Sequence, residues 1–107
     1  MSQKRIQQLE QRMGRIKEEL QRIGPMRPGS LTRQYKDPAR KIGAYWQISY
    51  TRQMKSRTEY VRQEWVAAIR QQIAIHKRFK RLVDQWVDLS IQHSQLTMRM
   101  GPPKVTG

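Results

Sequence analysis

Apolar side chains at Ile6, Leu9, Met13, Ile16, Leu20 and Ile23 recur at spacings of 3, 4, 3, 4 and 3, among positions dominated by Gln, Arg, Lys and Glu. That rhythm is a heptad seam, and it predicts a helix over 1–23 that packs along one narrow edge. At 1.5 Å per residue such a helix is roughly 33 Å long. Gly24 and Pro25 follow as a stop signal, a residue tolerant of positive φ before one that cannot continue a helix. Gly14 lies off the apolar face.

From 24 to 61 the rhythm shortens. Ser30 to Tyr35, Ala44 to Thr51 and Arg57 to Val61 have the β-branched and aromatic content of strands, punctuated by Pro28, Gly29, Pro38 and Gly43. The middle run alternates: Ala44, Trp46, Ile48 and Tyr50 share one face, and Tyr45, Gln47, Ser49 and Thr51 the other. A three-stranded antiparallel meander is the simplest arrangement. Its tip, Arg52-Gln53-Met54-Lys55, contains neither Gly nor Asn, so a loop of about three or four residues is expected there rather than a two-residue primed turn.

No helix breaker occurs between Arg62 and Gly101, which predicts a second helix over 62–99. Ile75, Phe79, Leu82, Trp86, Leu89, His93 and Leu96 form its heptad seam, and Val66, Ile69, Ile73, Val83 and Val87 widen the apolar face. The expected architecture is therefore α+β: two long antiparallel helices with a small three-stranded antiparallel sheet between them in sequence, in a single domain. A disordered tail is expected over 100–107. Because the first helix is shorter than the second, part of the second should stay exposed. This suggests a homodimer, or docking on a larger protein, through Ile75, Phe79, Leu82, Trp86, Leu89 and Leu96.

Charge sharpens this picture. The 107 residues carry 22 Lys plus Arg against 8 Asp plus Glu, a net +14, with 36% hydrophobic residues and no Cys. So large a surplus is most naturally neutralised by a polyanion. A nucleic acid, duplex DNA or structured RNA, is the expected partner. Membrane association is not expected, because the cations are spread along the chain instead of gathered on one amphipathic helix. The N-terminus lacks an apolar run, so neither a signal peptide nor a membrane span is predicted and the expected location is cytoplasmic.

The net charge is +3 over 1–23, +7 over 24–58 and +4 over 59–107. The central excess makes Arg27, Arg33, Lys36, Arg40, Lys41, Arg52, Lys55 and Arg57 candidate phosphate contacts. Lys77, Arg78, Lys80 and Arg81 form a second basic cluster on the long helix, with a solvated face as the alternative. Trp46, Tyr45, Tyr50 and Tyr60 are able to stack on unpaired bases. Yet Trp46 shares its strand face with aliphatic residues, so core packing is expected for Trp46 and Tyr60, and Tyr45 is the better exposed candidate. Trp65 and Trp86 read as core or interface residues. If the sheet enters a groove, Arg57 and Gln47 are the expected base contacts.

Catalysis is not motivated. Asp84 and Asp88 stand four apart on the helix, where Lys80 or Arg81 can pair with them, and His76 and His93 have no carboxylate at metal-ligand spacing. No glycine-rich phosphate loop and no nucleophile with a base is present. The expectation is a non-enzymatic protein with no metal, no cofactor and no small-molecule substrate. It would grip backbone more than it reads bases. The alternative is a coiled-coil interaction module, an adaptor whose basic surface only confers solubility.

The segments 24-GPMRPGSL-31 and 43-GAYWQISY-50, followed by Tyr60-Val61, Arg78-Phe79, Leu82-Val83 and Leu89, resemble a family of small bacterial proteins classed as a domain of unknown function. The resemblance covers about 6–97. It implies an N-terminal coil, a Gly-Pro-x-x-x-Gly-Ser-Leu entry to a strand, a Gly-Pro-Tyr-Tyr-type hairpin and a long C-terminal helix. It also implies an association with mobile genetic elements but carries no activity over; on the charge, the chain is expected to be an accessory subunit of a DNA- or RNA-processing complex of such an element. Many members carry a cysteine cluster between strand and hairpin. Here that segment, 36–42, has no Cys and Ala44 replaces the usual Pro, so no metal site is implied.

Overall fold

The computed structural model describes residues 2–101. It runs α1 (Ser2–Gln21), β1 (Ser30–Asp37), β2 (Ile42–Arg52), β3 (Lys55–Val61), a 3-10 turn at Gln63–Trp65 and α2 (Val66–Arg99). The sheet is antiparallel in the order β1-β2-β3, so the α+β arrangement expected from the periodicities is present. Of the tail expected to be disordered, 102–107 lie outside the described residues, as does Met1. Two compact units form, one from the residues up to Ile23 with those from Phe79 onward, the other from Gly24–Arg78. The continuous helix α2 contributes to both.

In the first unit the two heptad seams meet each other. Leu9, Ile16, Leu82 and Leu89 are buried together, with Met13, Leu20, Ile23, Trp86 and Leu96 packed around them. The helices run antiparallel: Arg5 Nη2 donates to Gln92 Oε1 at 3.3 Å, His93 Nε2 lies 3.7 Å from Glu10 Oε1, and the Lys17 ammonium sits 5.3 Å from the Trp86 ring centre. Each fully buried Leu of this seam contributes on the order of 1.5–3 kcal/mol of transfer free energy. α1 then closes with tight i to i−3 bonds, Arg22 N to Glu19 O and Ile23 N to Leu20 O, before Gly24 and Pro25 end it.

The second unit packs the first half of α2 onto the sheet. Ile48 and Val61 from the strands bury against Val66, Ile69 and Ile73 from the helix, with Leu31 and Trp46 alongside. The helix surface that α1 is too short to reach is therefore covered within the chain by the sheet. Farther along α2, Val87, Ile91 and Met98 stay exposed. Of the residues proposed for a partner, Leu82 and Leu89 are buried against α1, Trp86 and Leu96 pack on the same cluster, and Ile75 and Phe79 are half-buried.

Local chemistry sets the strand ends. Gly29 has φ +132°, and a Cβ there would lie 2.8 Å from the Ser49 carbonyl oxygen, so only glycine admits the chain to β1. At the first turn the Asp37 carboxylate accepts the Arg40 amide at 3.3 Å, and Lys41 and Gly43 take positive φ of 54° and 73°. At the second turn the structure departs from expectation. Arg52 pairs directly with Lys55, and Gln53 and Met54 between them both have positive φ, 52° and 63°. Positive φ at both central residues is the requirement of a type I′ turn, whose twist matches the flanking strands. Strand pairing thus outweighs a left-handed cost of about 1–2 kcal/mol per non-glycine residue.

Candidate nucleic-acid interface

Strand parity decides what each candidate residue can touch. The register is uninterrupted, pairing Leu31 with Ile48, Ile48 with Glu59 and Trp46 with both Arg33 and Val61. The face bearing Ile48 and Val61 turns to α2. The opposite face carries Thr32, Gln34 and Lys36 from β1, Tyr45, Gln47, Ser49 and Thr51 from β2, and Ser56, Thr58 and Tyr60 from β3, all exposed or half-buried. Lys36 is the one charged side chain among them. The rest are amides, hydroxyls and two phenols, all able to donate and accept hydrogen bonds.

These side chains are already tied to one another. Gln34 Nε2 donates to Thr32 Oγ1 at 3.1 Å, Thr32 Oγ1 donates to the Gln47 carbonyl at 3.5 Å, Gln47 Nε2 donates to Ser49 Oγ at 3.4 Å, and the Thr51 and Ser56 hydroxyls lie 3.2 Å apart. Tyr45 and Tyr60 meet at the end nearer the first turn, ring centres 6.5 Å apart and planes inclined by 42°.

Two sequence expectations are corrected here. Tyr60 is not core: it is 68% exposed and stands on the open face beside Tyr45. Its neighbour Val61 takes the inward position, and alternation sends Tyr60 outward. Arg57 and Gln47, expected to read bases together, lie on opposite faces. Arg57 pairs with Tyr50 on the α2 side, whereas Gln47 pairs with Tyr60 on the open side. Trp46 is on the inner face as expected, with its Nε1 donating to Gln63 Oε1 at 3.0 Å and Arg70 stacked 5.0 Å from its ring centre. Trp65 is 55% exposed.

The candidate cations divide into a frame and an internal brace. Arg33 on edge strand β1 and Arg57 on edge strand β3, with Arg52 and Lys55, share the strand parity of Trp46 and Tyr50, the α2 side. Arg40 and Lys41 occupy the first turn with Lys36 beside them, and Arg52 and Lys55 flank the second. All seven are exposed. Arg40 is partnered by Asp37, Nε to Oδ2 at 3.8 Å, with the Arg40 side chain 78% exposed.

Arg27 differs from these. Its guanidinium pairs with Glu59, lies 5.2 Å from the Tyr50 ring centre, and belongs to a residue whose amide bonds the Gln72 carbonyl. The Tyr50 hydroxyl donates to the other Glu59 oxygen at 2.8 Å. Hydrogen bonds from Arg27 and then Tyr50 hold the Glu59 carboxyl below its ordinary range. Arg27 is thus a brace between the entry loop and β3 instead of a phosphate contact.

The second basic cluster lies exposed on α2, at Lys77, Arg78, Lys80 and Arg81. Among the described residues no group of three or more His, Cys, Asp or Glu side chains gathers to hold a metal ion, and no helix is long and apolar enough to cross a membrane. Of the hydrogen-bonding residues of the open face, Ser49 was legible from the alternation of β2, Thr32 and Gln34 needed the β1–β2 register, and Thr58 with Tyr60 needed Val61 to fix the parity of β3. No protein-family model, curated protein or solved structure matches the chain.

Proposed function

We propose that the chain is a non-enzymatic nucleic-acid-binding protein whose sheet meets the phosphate backbone. It would act in the cytoplasm as an accessory subunit of a DNA- or RNA-processing complex of a mobile genetic element. The observation that carries the reading is the frame: Arg33, Lys36, Arg40, Lys41, Arg52, Lys55 and Arg57 border the sheet on both edges and at both ends. Glu59 and Asp37, the acids on these strands, are matched by Arg27 and Arg40. Cations so placed lie along whatever backbone passes the sheet, and each contact releases condensed counterions.

Affinity for duplex DNA, single-stranded DNA and folded RNA, measured across a salt series, tests this. Binding should fall steeply with salt, and changing Arg52, Lys55 and Arg57 together to Ala should make the log–log slope shallower by about 2 to 3. No binding at about 50 mM salt, where backbone neutralisation is strongest, overturns the reading.

A second reading is favoured by one observation. Val87, Ile91 and Met98 form an exposed apolar stripe on α2, at 51%, 51% and 70% exposure. On that reading the paired helices are an interaction module for a second copy of the chain, and the charge keeps it soluble. It predicts a dimer mass in solution that Val87→Lys with Ile91→Lys converts to a monomer.

A further inference from the structure

Resting on the reading that the sheet binds nucleic acid, we infer that its open face enters the major groove of B-form duplex DNA and reads base edges, so that binding is sequence-specific. The centre of that face is neutral. In a chain of net charge +14, Gln47 stands between Thr32 and Tyr60, and of the candidate cations on the strands only Lys36 shares this face, at its first-turn end, while Arg33, Arg52, Lys55 and Arg57 share the parity of Trp46 and Ile48. Phosphates are held by cations, whereas base edges are read by amides and hydroxyls. A hydrogen-bonding floor with Lys36, Arg40 and Lys41 at its first-turn end matches a groove whose floor is base edges and whose wall is phosphate.

Dimensions agree. Neighbouring strands lie about 4.8 Å apart, which sets the outer backbones of three strands about 10 Å apart. The major groove is about 12 Å wide. The A-form major groove of RNA is deep and too narrow for side chains to read. Single strands are captured by aromatic platforms facing splayed bases. Here the Tyr45 and Tyr60 rings, inclined by 42°, lean on each other and do not offer two parallel platforms. Gln47 is the central reader. An amide of this kind bonds adenine N6 and N7 together, and its contact with Ser49 at 3.4 Å orients it while using one of its two N–H donors.

The full chain is tested by selection from a pool of random-sequence duplexes, followed by affinities for the enriched duplex and for a scrambled one. A motif should emerge with a preference of about a hundredfold or more. Gln47→Ala should lower that preference about tenfold. Thr58→Glu, at an exposed position, places a carboxylate in the groove. It should weaken both duplexes more than the same charge change, Gln71→Glu, at an exposed position of α2. Salt-dependent binding with no enriched motif overturns base reading, and so does tighter binding of the same sequence as a single strand. A Thr58→Glu effect no larger than that of Gln71→Glu does the same. Absence of binding to every nucleic acid at low salt overturns the binding reading itself, and this inference with it.

Discussion

Gly29 and Glu59 show how single residues hold the sheet in place. Gly29→Ala would put a methyl 2.8 Å from the Ser49 carbonyl at a φ of +132°, so a loss of about 1–3 kcal/mol is expected in denaturant unfolding. A neutral result would mean that the entry loop relaxes freely. Glu59 titrates below its unfolded value because Arg27 and Tyr50 bond its anion. The stabilisation is therefore complete above a pH of about 4.3 and is lost as pH falls through the lowered folded value. Glu59→Gln should flatten that acid limb. Its cost at neutral pH should stay under about 1 kcal/mol, because the carboxylate side chain is 45% exposed. Single residues were also where the sequence misled: Tyr60 looks like a core aromatic by type, and only its adjacency to buried Val61 shows that it faces out.

Both heptad seams were legible because a period near 3.5 sustained over several turns arises from little besides a helix packed along one edge. That the two helices pair antiparallel was legible too; what covers the first half of α2 was not, because periodicity states that a face is apolar without naming the face that covers it. Leu82 and Leu89 are covered by α1, and Val66, Ile69 and Ile73 by the sheet. Ile48→Ala should thus cost about 2–5 kcal/mol, read as a lowered urea midpoint. The hairpin turn was misjudged from composition, since Gln53 and Met54 accept left-handed φ that Asn and Gly would adopt without strain. Gln53→Asn with Met54→Gly should raise stability by about 1–2 kcal/mol. An unchanged or lowered melting temperature would contradict the I′ assignment.

At the scale of the molecule, the charge surplus was visible in composition, but its placement needed the register. Composition located the excess in the central third; pairing placed only Lys36 on the open face and set Arg33, Arg52, Lys55 and Arg57 on the parity of the α2 side. Amide NMR shifts of the full chain, followed while a short duplex DNA is added at low salt, test this placement most directly. The largest changes should fall on Thr32, Gln34, Gln47, Thr58 and Tyr60 and on the two turns, with little change along α2 between Val83 and Met98. Changes confined to α2 around Lys77 to Arg81, with the sheet unmoved, would contradict a nucleic-acid interface on the sheet.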